Sequence, residues 1–139
     1  MTTELESTIR ACAKEQRTSY AVGGGAMSVS GVLLFVLALF VQGKPGEEAM
    51  RVGAGVLGVV LAVAGVLFAK VMMARVTTLV ELLLVRRAEL RDPVLIAMRR
   101  AGVVFSHAIT VRDTKGTRYR MRVPAEADAR RMLEGVARS

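Results

Sequence analysis

The sequence has one Cys, one His and no Trp, and its only aromatic residues are four Phe and two Tyr. A single thiol cannot pair within its own chain, so a disulfide scaffold is excluded. Cys12 and His107 stand far apart, with no ligand-spaced partners around them, so no zinc pattern is present. Each reads better as a packing residue than as a nucleophile or a metal ligand. Acidic residues are also few: 12 Asp and Glu against 20 Lys and Arg, a net charge of +8. The carboxylates pair in no catalytic motif, and there is no phosphate-binding glycine loop and no Gly-x-Ser-x-Gly turn. The expectation is a protein without enzyme activity, cofactor, metal or small-molecule substrate.

What the sequence does have is two long apolar blocks. Residues 21–41 carry no charge, and as a helix they would span about 31 Å, against a hydrocarbon core of roughly 30 Å. Residues 52–69 are also uncharged, and the run extends to Ala74 past Lys70, whose stem can lie in lipid while its amine reaches the interface. The segment between them, residues 42–51, contains Gly43, Pro45 and Gly46 and is polar, as a loop between antiparallel helices should be. The expected fold is therefore a two-helix transmembrane hairpin (residues 20–74, spans 21–41 and 52–74). No small-x-small cleavage site follows the first block, so it reads as a retained anchor and not as a signal peptide. Arg10, Lys14 and Arg17 precede the first span; Lys70, Arg75, Arg86, Arg87 and Arg91 end or follow the second. The positive-inside rule then places both termini in the cytoplasm. The expected location is the bacterial inner membrane.

Small residues recur at helical spacing in both blocks. Gly24, Ser28 and Gly31 share a stripe of the first helix, continued by Phe35 and Ala38. Ala54, Gly58, Ala62, Gly65 and Ala69 share a stripe of the second. Such stripes let backbones approach closely where lipid supplies no hydrophobic push, so these eight small residues are the expected helix-packing interface. Gly23, Gly25, Gly53 and Gly55 leave further small surface that a second subunit could use. A glycine-rich two-helix hairpin resembles the ring subunit of rotary ATPases. That family carries a mid-membrane carboxylate in its second helix, and Val59 to Gly65 has none, so the match fails. Neither block has an ionisable residue near its centre, which argues against an ion or proton pathway.

The flanking segments suggest a small cytoplasmic α+β domain. Residues 1–19 read as a short amphipathic helix with Leu5, Ile9 and Cys12 on one stripe. Residues 75–92 read as an amphipathic linker helix continuing the second span to about Arg91, too apolar around Leu79 to Val85 to be solvated. Residues 93–139 read as helix, β-hairpin, helix. Pro93 opens the first helix and Gly102 stops it. Residues 103–111 and 118–123 alternate as strands, and pairing Val111 with Tyr119, Ile109 with Met121 and His107 with Val123 keeps the apolar side chains on one face. Residues 125–137 form the last helix, with Ala129, Met132, Leu133 and Val136 inward.

The basic residues are the most informative polar feature. Arg112, Arg118, Arg120 and Arg122 share the outward face of the hairpin, and Lys115 sits at its tip. This surface suits anionic inner-leaflet lipids or an acidic protein partner; with stacking aromatics nearly absent, nucleic acid is not expected. The expected function is assembly: a homo-oligomer, or an accessory or scaffold subunit of a membrane complex, that presents a basic domain in the cytoplasm. The alternative is a minimal pore built from oligomerised hairpins. Two strands with open edges and an uncovered apolar linker favour self-association.

Overall fold

The computed structural model describes residues 3–40 and 45–137. The described residues fold into three helices and a three-stranded antiparallel sheet. In order these are α1 (Thr3–Phe40), α2 (Glu48–Leu84), a 3-10 turn (Arg87–Glu89), β1 (Arg91–Arg100), β2 (Val103–Arg112), β3 (Arg118–Val123) and α3 (Glu126–Ala137). Both α1 and α2 are long and apolar enough to cross a membrane, and only 11% of the most apolar window of each is buried. Helices in the core of a soluble protein would be mostly covered. The chain divides into two compact units: Thr18–Met73, and the segments on either side of it.

The Thr18–Met73 unit is an antiparallel helix pair. The amphipathic segment leads into the first apolar block without a break, as one helix of 38 residues that Gly23 to Gly25 do not interrupt. The expected end of the first span at Val41, and the loop residues Gln42, Gly43 and Lys44, lie outside the described residues. At the other side of the loop Gly46 has φ +98°, a conformation that suits glycine, and α2 begins at Glu48. Val32, Leu33, Leu37, Val56, Leu57 and Val63 are each more than half exposed, so the outer surface of the pair is apolar.

The other unit has a core. Leu5, Ile9, Cys12 and Ala13 of α1 are buried, and so are Val76, Leu79, Val80, Leu82 and Leu83 of α2. The apolar stretch of α2 that needed cover therefore finds it within the chain. One face of the sheet adds Ile109, Val111, Tyr119, Met121 and Val123, and α3 adds Ala129, Met132 and Val136. The β2–β3 register is the expected one, with Val111 opposite Tyr119, Ile109 opposite Met121 and His107 opposite Val123. The turn between them is organised by Asp113, whose Oδ1 accepts the Lys115 and Thr117 amides at 2.9 Å. Gly116 takes φ +85° there.

Two expectations are corrected. The segment expected as a helix opened by Pro93 is strand β1, so the sheet has three strands in the order β1-β2-β3. Val94, Ile96 and Met98 fall on one face and Leu95 and Ala97 on the other, the period of a strand. Pro93 is tolerated because it lies on an edge strand where the β1–β2 pairing is interrupted, between Arg91 and Val94, so its missing N–H breaks no ladder bond. Gly102 does not stop a helix. Ala101 (φ 51°) and Gly102 (φ 80°) are the two central residues of a tight hairpin turn, for which two positive φ values are required. The second correction is that α2 ends at Leu84 and not near Arg91. The Val85 and Arg86 amides both turn back to the Glu81 carbonyl, an ion pair joins Arg86 to Glu89, and Leu90 enters the core at 2% exposure.

Candidate functional site

Two groups of residues stood out in the sequence, and each lies within one unit. In the helix pair, contact is backbone to backbone. A Cβ added to Gly24 would lie 2.6 Å from the Gly65 carbonyl oxygen and 2.6 Å from the Ala69 Cβ. One added to Gly65 would lie 2.6 Å from the Gly24 oxygen. Gly31 and Gly58 are related in the same reciprocal way, and Ala62 meets Gly31 through its amide nitrogen. Between these crossings the Ser28 hydroxyl donates to the Ala62 carbonyl at 2.7 Å, a bond that satisfies a polar group inside an apolar pair. Tyr20 and Phe68 pack edge to face, 5.9 Å between ring centroids. Of the eight stripe residues, seven meet at these crossings; Ala54 instead lines a groove with Leu34, Leu37, Ala38 and Met50.

Gly23, Gly25 and Gly53 meet nothing within 4 Å, whereas Gly55 faces Ala38 and Phe35 inside the pair. Sequence reasoning missed Arg51. Its guanidinium donates to the Ala38 and Leu39 carbonyls, at 2.5 Å and 2.6 Å, near the C-terminal end of α1. A cation at a helix C-terminus satisfies orphan carbonyls and complements the helix dipole. In the sequence the only hint is that Arg51 directly precedes the second apolar block.

The second group is the arginine face of the sheet. Arg118, Arg120 and Arg122 project from β3 and are exposed. Arg112 lies opposite Arg118, half-buried, 3.8 Å from Asp92. Lys115 is exposed in the turn. Among the described residues, Arg118, Arg120 and Arg122 form no ion pair. The Arg122 Nε donates to the buried Ser106 hydroxyl at 3.0 Å, and its guanidinium lies 5.7 Å from the centroid of the Phe105 ring. Phe105 is where β2 bulges: Ser106 pairs with Met98 and Val104 with Arg99, so Phe105 has no partner across the strands. Its ring is 51% exposed. On β1, Val94 and Ile96 share this open face and are 49% and 38% exposed. The apolar half of the face was invisible while β1 was read as a helix.

The outer edge of β3 is occupied. The Gln16 amide donates to the Arg120 carbonyl at 3.1 Å and accepts the Arg122 N–H at 3.0 Å, so one side chain takes the place of a peptide group in a neighbouring strand. Arg75 donates to the Arg118 carbonyl at 2.5 Å, and its guanidinium sits over the Tyr119 ring. Burial raises the Tyr119 phenol above its ordinary value, and nearby Asp113 adds to the rise. His107 lies 3.8 Å from Glu126, next to the Pro124 carbonyl at 3.5 Å. Arg130, hydrogen-bonded to Glu126, holds that carboxyl below its ordinary value. These contacts tie strands to helices. Among the described residues no group of three or more His, Cys, Asp or Glu could hold a metal ion. The chain matches no protein-family model, no curated protein and no solved structure.

Proposed function

We propose that the chain is an integral membrane protein with two spans and both termini in the cytoplasm, located in the inner membrane of a bacterium. It acts through assembly, with copies of itself or as an accessory subunit of a membrane complex, and presents its sheet unit as a basic cytoplasmic module. The observation that carries this reading is the outer surface of the helix pair. Its large apolar side chains stay exposed, while Gly24, Gly31, Gly58 and Gly65 lie in the contact between α1 and α2. A surface of this kind needs lipid or another apolar helix around it. The orientation is supported by the excess of Lys and Arg on the two terminal sides.

Two measurements on the full chain test the reading. After alkaline carbonate washing the protein should remain in the membrane pellet, and a membrane-impermeant thiol reagent on intact cells should label a Cys placed at Gly46 and not one placed at Thr114, with Cys12 replaced by Ser. Release into the wash, or the reverse labelling pattern, would refute the membrane topology. Native mass measurement from membrane discs should give a mass above that of the 14.9 kDa monomer. A lone monomer would refute self-association and leave the accessory-subunit reading, whereas an oligomer that conducts ions in reconstituted liposomes would favour the pore reading.

A further inference from the structure

We propose that the open face of the sheet docks on an anionic lipid surface, with Arg118, Arg120 and Arg122 on the head groups and Phe105, Val94 and Ile96 entering the boundary of the acyl chains. The proposal rests on the membrane reading above and names the partner of its basic module. Three observations carry it.

The first is composition. The face combines three arginines that form no ion pair among the described residues with an exposed ring and two exposed β-branched side chains. Basic groups beside apolar ones on one surface are what an interface between water and anionic lipid accepts. A second copy of the same face is a poor occupant, since it would bring arginine against arginine.

The second observation is that the pieces are already positioned. The bulge sets the Phe105 ring beside Arg122, and Ser106 fixes the Arg122 guanidinium from below. Gln16 and Arg75 hold the backbone of all three arginines along the β3 edge. Less side-chain and backbone freedom remains to be lost on docking than a mobile basic tail would lose.

The third is connectivity. The two residues that grip β3 adjoin the apolar blocks in the chain: Arg75 directly follows Ala74, and Gln16 lies five residues before Ala21. Five residues of chain reach no farther than about 18 Å, so connectivity alone keeps β3 close to any membrane that the apolar blocks enter.

The test uses the full chain with Cys12→Ser and a spin label on Val103→Cys, an exposed position at the start of β2, two residues before Phe105. The protein is placed in lipid discs of phosphatidylcholine alone, or with about one third phosphatidylglycerol to supply a negative surface. In the anionic discs the label should become more accessible to oxygen than to a water-soluble nickel reagent, and in neutral discs it should not. Arg118→Gln with Arg120→Gln should lower the docking equilibrium by about 30-fold and return the label to its aqueous signature. Both side chains are exposed and neither carries the fold, which unchanged circular dichroism will verify. Raising the salt concentration should have the same effect as the double variant. A label that stays aqueous in both lipids, or an oxygen signal unchanged by the double variant, overturns the proposal. So does strong label–label coupling without a lipid signal, which would place a second copy on this face. Because the chain must first be shown to sit in the discs, failure of docking is distinguished from failure of the membrane reading.

Discussion

Gly31 and Gly58 approach so closely that a methyl group on the first would stand 2.5 Å from the carbonyl oxygen of the second. The atoms facing each glycine are backbone, which cannot rotate away, so added bulk has to push the helices apart. Gly58→Leu and Gly65→Leu should each destabilise the helix pair by about 1–3 kcal/mol, the usual cost of overpacking. Val63→Leu, on the exposed side, should be neutral. Thermal unfolding in detergent, followed by circular dichroism, will separate the two classes; equal tolerance of all three would mean that the helices do not meet at the glycines.

Gln16 should be worth more than its exposed surface suggests. Gln16→Ala removes two hydrogen bonds from the β3 edge, a loss of about 1–3 kcal/mol given typical net bond strengths. Gln16→Glu keeps the acceptor for Arg122 but lacks the donor for Arg120, and it should cost less. The local reporter is hydrogen exchange. The Arg122 amide should lose protection in Gln16→Ala, while the Met121 amide, on the inward side of the strand, should keep it. Unchanged exchange at Arg122 would show that the edge is closed by something else.

Gly135 and Arg87 form a coupled pair. The Arg87 guanidinium crosses α3 over Gly135 to reach the Met132 carbonyl, and a methyl at Gly135 would occupy the same space. The clashing atoms are the far end of a half-buried side chain, which can swing aside only by giving up its charged hydrogen bond to the Met132 carbonyl, a loss of about 1.5–3 kcal/mol. Gly135→Ala should therefore destabilise the wild type, although alanine is the better helix former by about 1 kcal/mol. In an Arg87→Ala background the same change should become neutral or stabilising. A double-mutant cycle by urea unfolding measures the coupling, and additive effects would argue against the contact.

Cys12 is 8% exposed, and its thiol is raised above the ordinary value by burial first, with Glu15 and Asp128 adding to the shift. The folded protein therefore favours the neutral thiol. Its contribution to stability is complete below the unfolded pKa and is lost as pH rises through the higher folded value. Relative to Cys12→Ala, the native protein should lose stability more steeply on the alkaline side, above about pH 8.5. In the same range a maleimide reagent should label Cys12 far more slowly than a Cys placed at the exposed Ala11, and at equal rates in urea. Rapid native labelling of Cys12 would contradict its burial.

The elements that could be read from the sequence were those with a long or strict pattern. The apolar blocks exceed any ordinary core helix in length. The β2–β3 register follows from alternation, because a one-residue slip would put the arginines of β3 against the core. The last helix was legible from the spacing of Ala129, Met132 and Val136. Strand β1 was missed for a physical reason: Val94 to Met98 is a short, nearly continuous apolar run, which fits helix and strand templates equally well. Its tight turn uses Ala101-Gly102, without the Asn or Asp that usually marks one. The grip of Gln16 on β3 was out of reach for another reason. The partners are more than 100 positions apart in the chain, and no local pattern records which exposed amide will meet which strand.

That grip also limits how far the sheet can grow. β2 is paired on both sides, and at the β3 edge the Arg118 and Arg120 carbonyls and the Arg122 amide are taken by Arg75 and Gln16. A ribbon with two free margins adds copies without end, as fibrils do. At the β3 edge, Gln16 thus takes up a donor and an acceptor that would otherwise offer a template for an added strand.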